Sequence, residues 1–109
     1  MSAQDNLGNQ FTPPKELGID TGGLGAHNMY EQNQRRSEKI GAKQWCRHCH
    51  KPMEEGQGYI VNYHPQTDSL YPMSVPIKQD KYSGRTLLGS ECVKKFLKKD
   101  EYSTYAEKA

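Results

Sequence analysis

The chain has 109 residues and a formal net charge of +2, too short for more than one domain and too evenly charged for a fully disordered one. Leu, Ile, Val and Phe together supply only 16 residues, below the roughly one in five of a self-sufficient globule. A domain so short of core needs a staple, either disulfides or a metal. Three cysteines, Cys46, Cys49 and Cys92, cannot all pair within one chain, which excludes a closed disulfide framework. The opening residues, "MSAQDNLGNQ", lack the basic and apolar regions of a secretory leader, and Met1 is followed by Ser2, not by a myristoylation glycine. No run approaches the ~18 apolar residues of a membrane span. A cytoplasmic, reducing setting is therefore expected, with thiols free to take a metal.

Residues 1–27 are polar and rich in Gly, Asn and Gln, with no helical or strand period, and predict a flexible arm. Phe11, Pro13, Pro14 and Leu17 are its one apolar cluster and the expected anchor for a protein partner. "GIDTGGLG" lacks the Gly-Lys-Ser/Thr ending and preceding apolar strand of a phosphate loop. Residues 28–42 predict a short helix or linker, with Asn28 and Glu31 in an N-cap arrangement and Gly41 as its stop. Tyr30, Ser37 and Ile40 share one side, a poor apolar stripe.

Residues 43–109 form the expected domain. They open on "QWCRHCHK", a Cys-x-x-Cys pair that suits either a redox site or half of a metal site. "GYIVNYH" alternates at period two, so a strand with an aromatic face at Tyr59, Val61 and Tyr63 is expected. "PQTDS" is turn chemistry. "LYPMSVPI" is extended, and its Pro72 and Pro76 limit it to an edge strand or an irregular segment. A polar loop, "KQDKYSGR", precedes "TLLG" and then "SECVKKFLKK", which predicts a helix capped by Ser90. Val93, Phe96 and Leu97 make its apolar face, and Lys94, Lys95, Lys98 and Lys99 the opposite arc. The last ten residues carry Tyr102 and Tyr105 without a readable period. Residues 1–40 hold four Lys/Arg against five Asp/Glu, and residues 41–109 eleven against eight, so the basic character belongs to the cysteine-bearing half.

"WCRHCHK" resembles the Trp-Cys-x-His-Cys-Lys site of the thioredoxin and disulfide isomerase family, which implies a thiol–disulfide oxidoreductase. That fold needs a buried strand before the pair and a long helix after it. Here "QNQRRSEKIGAKQ" precedes it, and Pro52, Gly56 and Gly58 follow. A zinc site accounts for more of the chain. Zinc favours tetrahedral Cys and His ligands, Cys-x-x-Cys presents two sulfurs from one turn, and Cys92 adds a third within the first turn of a helix. The order of knuckle, hairpin and helix-borne ligand resembles a treble-clef zinc finger, including small phage- and plasmid-encoded ones, with "CRHCHKP" and "GSECVKK" as its two ends. The resemblance spans residues 46–97 and implies an α+β, zinc-stapled domain.

A treble clef usually takes two ligands from its helix end, and Lys95 stands where the second would fall. His64 is the expected fourth ligand. His50, His48, Asp68, Asp80, Glu91 and a water are alternatives, with His48 expected on the surface. "GRTLLGSEC" is similar to the approach to the second knuckle of phage recombination endonucleases and HNH nucleases, but their catalytic Asp-His pair has no counterpart, since Pro65 follows His64. The zinc deaminase pattern, His-x-Glu before Pro-Cys-x-x-Cys, is missing too. The reading is a non-catalytic, zinc-stabilised protein that contacts nucleic acid or a nucleoprotein complex. Its expected contacts are Lys94, Lys95, Lys98, Lys99, Lys78, Lys81 and Arg85, with Tyr59, Tyr63, Tyr71 and Tyr82 available to stack on bases. The alternative is a protein–protein adaptor or inhibitor, of the phage-encoded kind, acting on a host protein through the N-terminal arm and the zinc domain. A thiol–disulfide oxidoreductase and a zinc nuclease are the remoter ones.

Overall fold

The computed structural model describes residues 14–81 and 83–109 and is a mixed α/β domain. Phe11, Pro13 and Tyr82 lie outside the described residues. A 3-10 turn at Lys15–Leu17 leads into β1, Ile19–Asp20. Helix α1, Tyr30–Ile40, precedes a small hairpin of β2, Gln44–Trp45, and β3, Pro52–Met53. Then come β4, Tyr59–His64, β5, Ser69–Tyr71, and β6, Gly84–Leu88. Helix α2, Ser90–Phe96, a 3-10 turn at Lys99–Glu101, the one-turn α3, Tyr102–Tyr105, and β7, Ala106–Lys108, complete the chain.

Strand β4 is the spine of an antiparallel sheet. One edge pairs with β6 from Tyr59↔Leu88 to Tyr63↔Gly84. The other is shared: Asn62–His64 pair with β5 and Tyr59–Val61 with β7. Proline explains the division. Pro72 has no N–H to donate, so β5 ends at Tyr71 after three residues, and β7 takes the vacant half of the edge. Strand β5 is not the edge strand that its prolines suggest, because β1 pairs along its far side, with Ile19↔Leu70 and Asp20↔Ser69.

The expected alternation in β4 is incomplete because both faces are covered. Val61 and Tyr63 are buried as expected, and so are Asn62 and His64. The Asn62 amide donates to the carbonyls of Pro72 and Val75, so the proline-containing segment folds over the second face through a polar tie. Leu70, Leu88, Val93 and Tyr71 complete the fully buried core. Each such side chain is worth about 1.5–3 kcal/mol on burial, and there are few of them.

Polar ties do much of the remaining docking. The segment expected as an arm through residue 27 is, from Pro14 onward, part of the sheet and its margin. Thr21 donates its amide to the Asp68 carbonyl (3.0 Å) and its hydroxyl to the Asp68 carboxylate (2.7 Å), which also accepts from the Tyr63 hydroxyl. The Leu17 carbonyl accepts from the Tyr105 hydroxyl at 2.7 Å, which joins the N-terminal turn to the C-terminal one. Helix α1 docks without an apolar stripe: Ile40 is exposed, whereas Asn33 and Ser37 donate to the carbonyls of Cys49 and His50 at 2.9 Å. The helix starts at Tyr30 with Met29 at its cap, so Asn28 does not serve as the cap. It stops as expected at Gly41, whose left-handed φ of 66° lets Gly41 and Ala42 return hydrogen bonds to Glu38 and Ser37.

Asp68 is the busiest of these ties. Burial raises its pKa, but hydrogen bonds from Tyr63, Thr21 and the Leu24 and Gly23 amides outweigh that and hold the carboxyl below its usual range. A depressed carboxyl stabilises the fold above its unfolded value and loses that contribution as pH falls through the folded one. Asp68→Asn, which keeps the shape and tolerates the left-handed φ of 52°, should cost about 1–2 kcal/mol at neutral pH. The gap between variant and parent should close as pH drops below ~4. Urea unfolding of both proteins across that range checks it, and a gap independent of pH would contradict it.

Candidate metal centre

The knuckle is a turn closed by the β2–β3 hairpin, with Gln44↔Met53 and Trp45↔Pro52 as its rungs. Cys46 donates its amide to the Lys51 carbonyl (3.0 Å), and His50 returns one to Cys46 (2.8 Å) with a left-handed φ of 63°. Arg47 donates its amide to the Leu87 carbonyl at 2.8 Å, anchoring the knuckle on β6 two residues before Gly89. From there the chain turns into α2, which carries Cys92 in its first turn. Gly58, at the entry to β4, fits under this junction because a side chain there would collide with Met53 and the Leu88 carbonyl.

This convergence brings the sulfurs of Cys46, Cys49 and Cys92 within 4.8 Å of one another, all three buried and none in a disulfide. Zinc bonds of ~2.3 Å at tetrahedral angles hold sulfurs ~3.8 Å apart. The three donors thus stand about 1 Å or less from that spacing, with the right chemistry for a divalent ion. They line one end of a cavity of about 370 Å³, with Gln57, Glu91, Lys51 and Lys108 around it.

The thiols share one ionisation. A hydrogen bond from the Cys92 thiol pulls the Cys46 pKa down to about 5, against burial, and the amides of Gly89, Cys49 and His48 add to the effect. Cys92, donating that bond and buried, is pushed up, and burial raises Cys49. The pocket therefore stabilises one thiolate unaided, and a second negative charge beside it needs a cation.

The histidines lie elsewhere. His64 ends β4, five residues and ~16 Å of strand beyond the Tyr59↔Leu88 rung that adjoins the sulfurs. Its Nδ1 meets the Thr67 hydroxyl at 3.1 Å and its ring packs edge-on against Tyr71, so the structure does not bring it to the cluster. His48 is buried, contrary to the surface position expected. Its Nδ1 accepts the Gly25 amide (3.2 Å), its ring packs against Phe96 and His27, and desolvation lowers its pKa. His50 is buried too, stacked on Trp45 and touching Ser37. Among the described residues, no His, Asp or Glu joins the three sulfurs. Cys-x-x-Cys makes its turn with the sulfurs inward, and the intervening and following side chains become docking pegs for the elements around it.

The cationic residues also depart from the helical arc. Helix α2 ends at Phe96, and Leu97 is already extended. Lys94 and Lys95 are on the helix, and Lys94 pairs with Glu91 at 3.4 Å. Lys98 and Lys99 belong to the following 3-10 turn, where the Lys98 amide donates to Glu101. Gly89, not Ser90, is the cap. Lys78, Lys81 and Arg85 are exposed around the β6 approach. Of the tyrosines expected to stack on bases, Tyr63 and Tyr71 are buried and Tyr59 lies beneath Lys108 and Tyr102. Pro14 and Leu17 sit on the body of the domain. Comparison with protein-family models, curated proteins and solved structures returns no match.

The metal-free, reduced chain should carry one thiolate at neutral pH, visible in the ultraviolet, which disappears as pH falls through about 5. The sign follows from the depressed pKa: the ionised sulfur's contribution to stability is complete above the ordinary thiol value of 9.0, shrinks as pH falls from there, and is gone once pH passes below about 5, where the band disappears. Three fully protonated thiols at pH 7 would contradict this.

Proposed function

We propose that Cys46, Cys49 and Cys92 hold one zinc ion and that the protein is a non-catalytic, zinc-stabilised domain of treble-clef type that binds nucleic acid. The observation that carries the metal is the convergence of three buried sulfurs within 4.8 Å in a chain with so small an apolar core. The order of parts supports this reading in part: a knuckle on a short hairpin, then the antiparallel pair of β4 and β6 with β5 between them in sequence, then a helix with the third sulfur in its first turn. A structural zinc contributes on the order of 10 kcal/mol to folding in small zinc domains, comparable to the whole stability of a domain this size. A fourth ligand would have to come from the cavity side, where water has access and Gln57, Ser90 and Glu91 carry side-chain oxygens. The proposal of a nucleic-acid partner rests on the exposed cations of the cysteine-bearing half, which flank an exposed tryptophan.

Protein prepared without chelator should contain one zinc per chain, and a strong chelator should lower the unfolding midpoint and speed thiol labelling. Cys46→Ser and Cys92→Ser should lose the metal and most of the folded population. His64→Ala should retain the metal, and Glu91→Gln should weaken it at most severalfold. Metal-free protein whose stability is indifferent to added zinc would overturn the proposal.

A further inference from the structure

We infer that the groove between the knuckle and β6 is a binding site for single-stranded nucleic acid, with Trp45 as a stacking platform for an unpaired base and the flanking cations meeting the phosphates. The inference names the surface and substrate class of the domain proposed above and rests on that reading, because the metal-bearing knuckle sets the position of Trp45.

The groove has a volume of about 540 Å³ and is lined by Lys43, Trp45, Arg47, Glu55, Lys81 and Arg85, over a floor that includes Ile60 and Leu87. Three exposed cations, Lys43, Lys81 and Arg85, border the apolar strip against one acidic side chain, Glu55, while Arg47 is half-buried with its guanidinium beside Gly25, in a chain whose total charge is only +2. Trp45, the one tryptophan in the sequence, is 40% exposed, unusual for the largest aromatic in a chain so poor in apolar residues. One face of the indole is backed by the His50 ring, 4.8 Å away and within 8° of parallel. His50 is in turn held edge-on by Tyr30 and by its contact with Ser37, both on α1. The indole is thus fixed from behind while it borders the groove.

The cations opposite are held as firmly. The loop before β6 is tied by the Ser83 hydroxyl donating to the Lys78 carbonyl (2.6 Å), by the Gln79 amide donating to the Ser83 carbonyl, and by the Arg85 amide donating to Gln79 (2.7 Å). Lys81 therefore stands in a stapled loop and Arg85 on the strand β6 that the loop leads into. The ligand chemistry follows from the combination. A flat aromatic face wants a planar partner, and an array of cations wants a repeated anion; an unpaired strand offers both. A duplex keeps its bases stacked and withholds the planar partner. An acidic peptide has no planar partner to offer at each charge. This platform takes the place of the strand tyrosines, which the core consumes.

Trp45 reports on its own occupancy. Titrating metal-loaded protein with an oligothymidylate of roughly 10 nucleotides should quench tryptophan fluorescence saturably, and fluorescence anisotropy of the labelled strand should give the same Kd. Affinity should fall steeply between about 50 and 200 mM salt. Trp45→Ala should weaken binding roughly tenfold or more, and Trp45→Phe, which keeps a stacking face, should retain most of it. Arg85→Glu, on the surface and free of any folding role for its side chain in the core, should weaken binding and flatten the salt dependence by nearly one unit of log–log slope. Absence of quenching and of anisotropy change with metal-loaded, folded protein would overturn the inference. So would duplex or polyglutamate binding as tight as the single strand, or a loss confined to Lys94→Glu and Lys95→Glu. The two readings fail separately: metal-loaded protein that binds no strand removes the groove alone, and chelator-indifferent protein that still binds removes the zinc alone.

Discussion

The fold depends on one junction, the point where the knuckle after β2 meets the first turn of α2. The Cys46 sulfur lies there at zero exposure, receiving the Cys92 thiol and three amides, while the neighbouring Arg47 amide is bonded to β6. Everything that must be placed relative to everything else passes through this point. The pairing of β6 with β4 delivers Leu88 and Gly89 to it, α1 rests on the carbonyls of the knuckle, and β7 runs beside the entry to β4. A junction of three buried sulfurs repels the second negative charge it needs for metal-like donors, which is the physical reason a cation there would act as a clamp.

Around this junction, polar side chains substitute for a larger apolar core. Asn62 holds the 72–75 turn over the sheet, Asp68 gathers the N-terminal segment, and Asn33 and Ser37 seat the first helix. No buried side-chain nitrogen or oxygen among the described residues lacks a partner. Satisfied polar networks of this kind fix register closely, and each loses more on the removal of one partner than it gains on formation. The result is a small domain whose geometry is specified by hydrogen bonds and sulfur as much as by burial.

The same economy shapes the surface. Tyr63 and Tyr71 go into the core, and the lysine run after Cys92 is divided between a short helix and a separate turn. The largest aromatic left outside is Trp45, supported by a histidine that sequence reasoning weighed as a ligand. The exposed face that results combines charge and a flat ring on rigid supports. Among the described residues, no helix is long and apolar enough to cross a membrane.

Some of this was legible in the chain because it depends on neighbours in sequence. Cys46-x-x-Cys49 makes its own turn, the period-two run at 59–64 makes its own strand, and Gly41 ends its helix by conformational freedom alone. Cys92 could be joined to the pair because a helix start is a local feature and thiolates share a chemistry. The fourth ligand, the role of β6, the course of the last ten residues and the docking of residues 14–27 were not legible. Each is decided by a partner far along the chain: Ile19 by Leu70, Ala106 by Val61, Leu17 by Tyr105. The sequence by itself determined which atoms are soft enough to hold a metal. Only the tertiary structure decided that the buried histidines beside them turn away from the sulfurs as pegs and that Trp45 is left exposed while Tyr63 and Tyr71 are buried, because burial is settled by long-range packing and not by residue type.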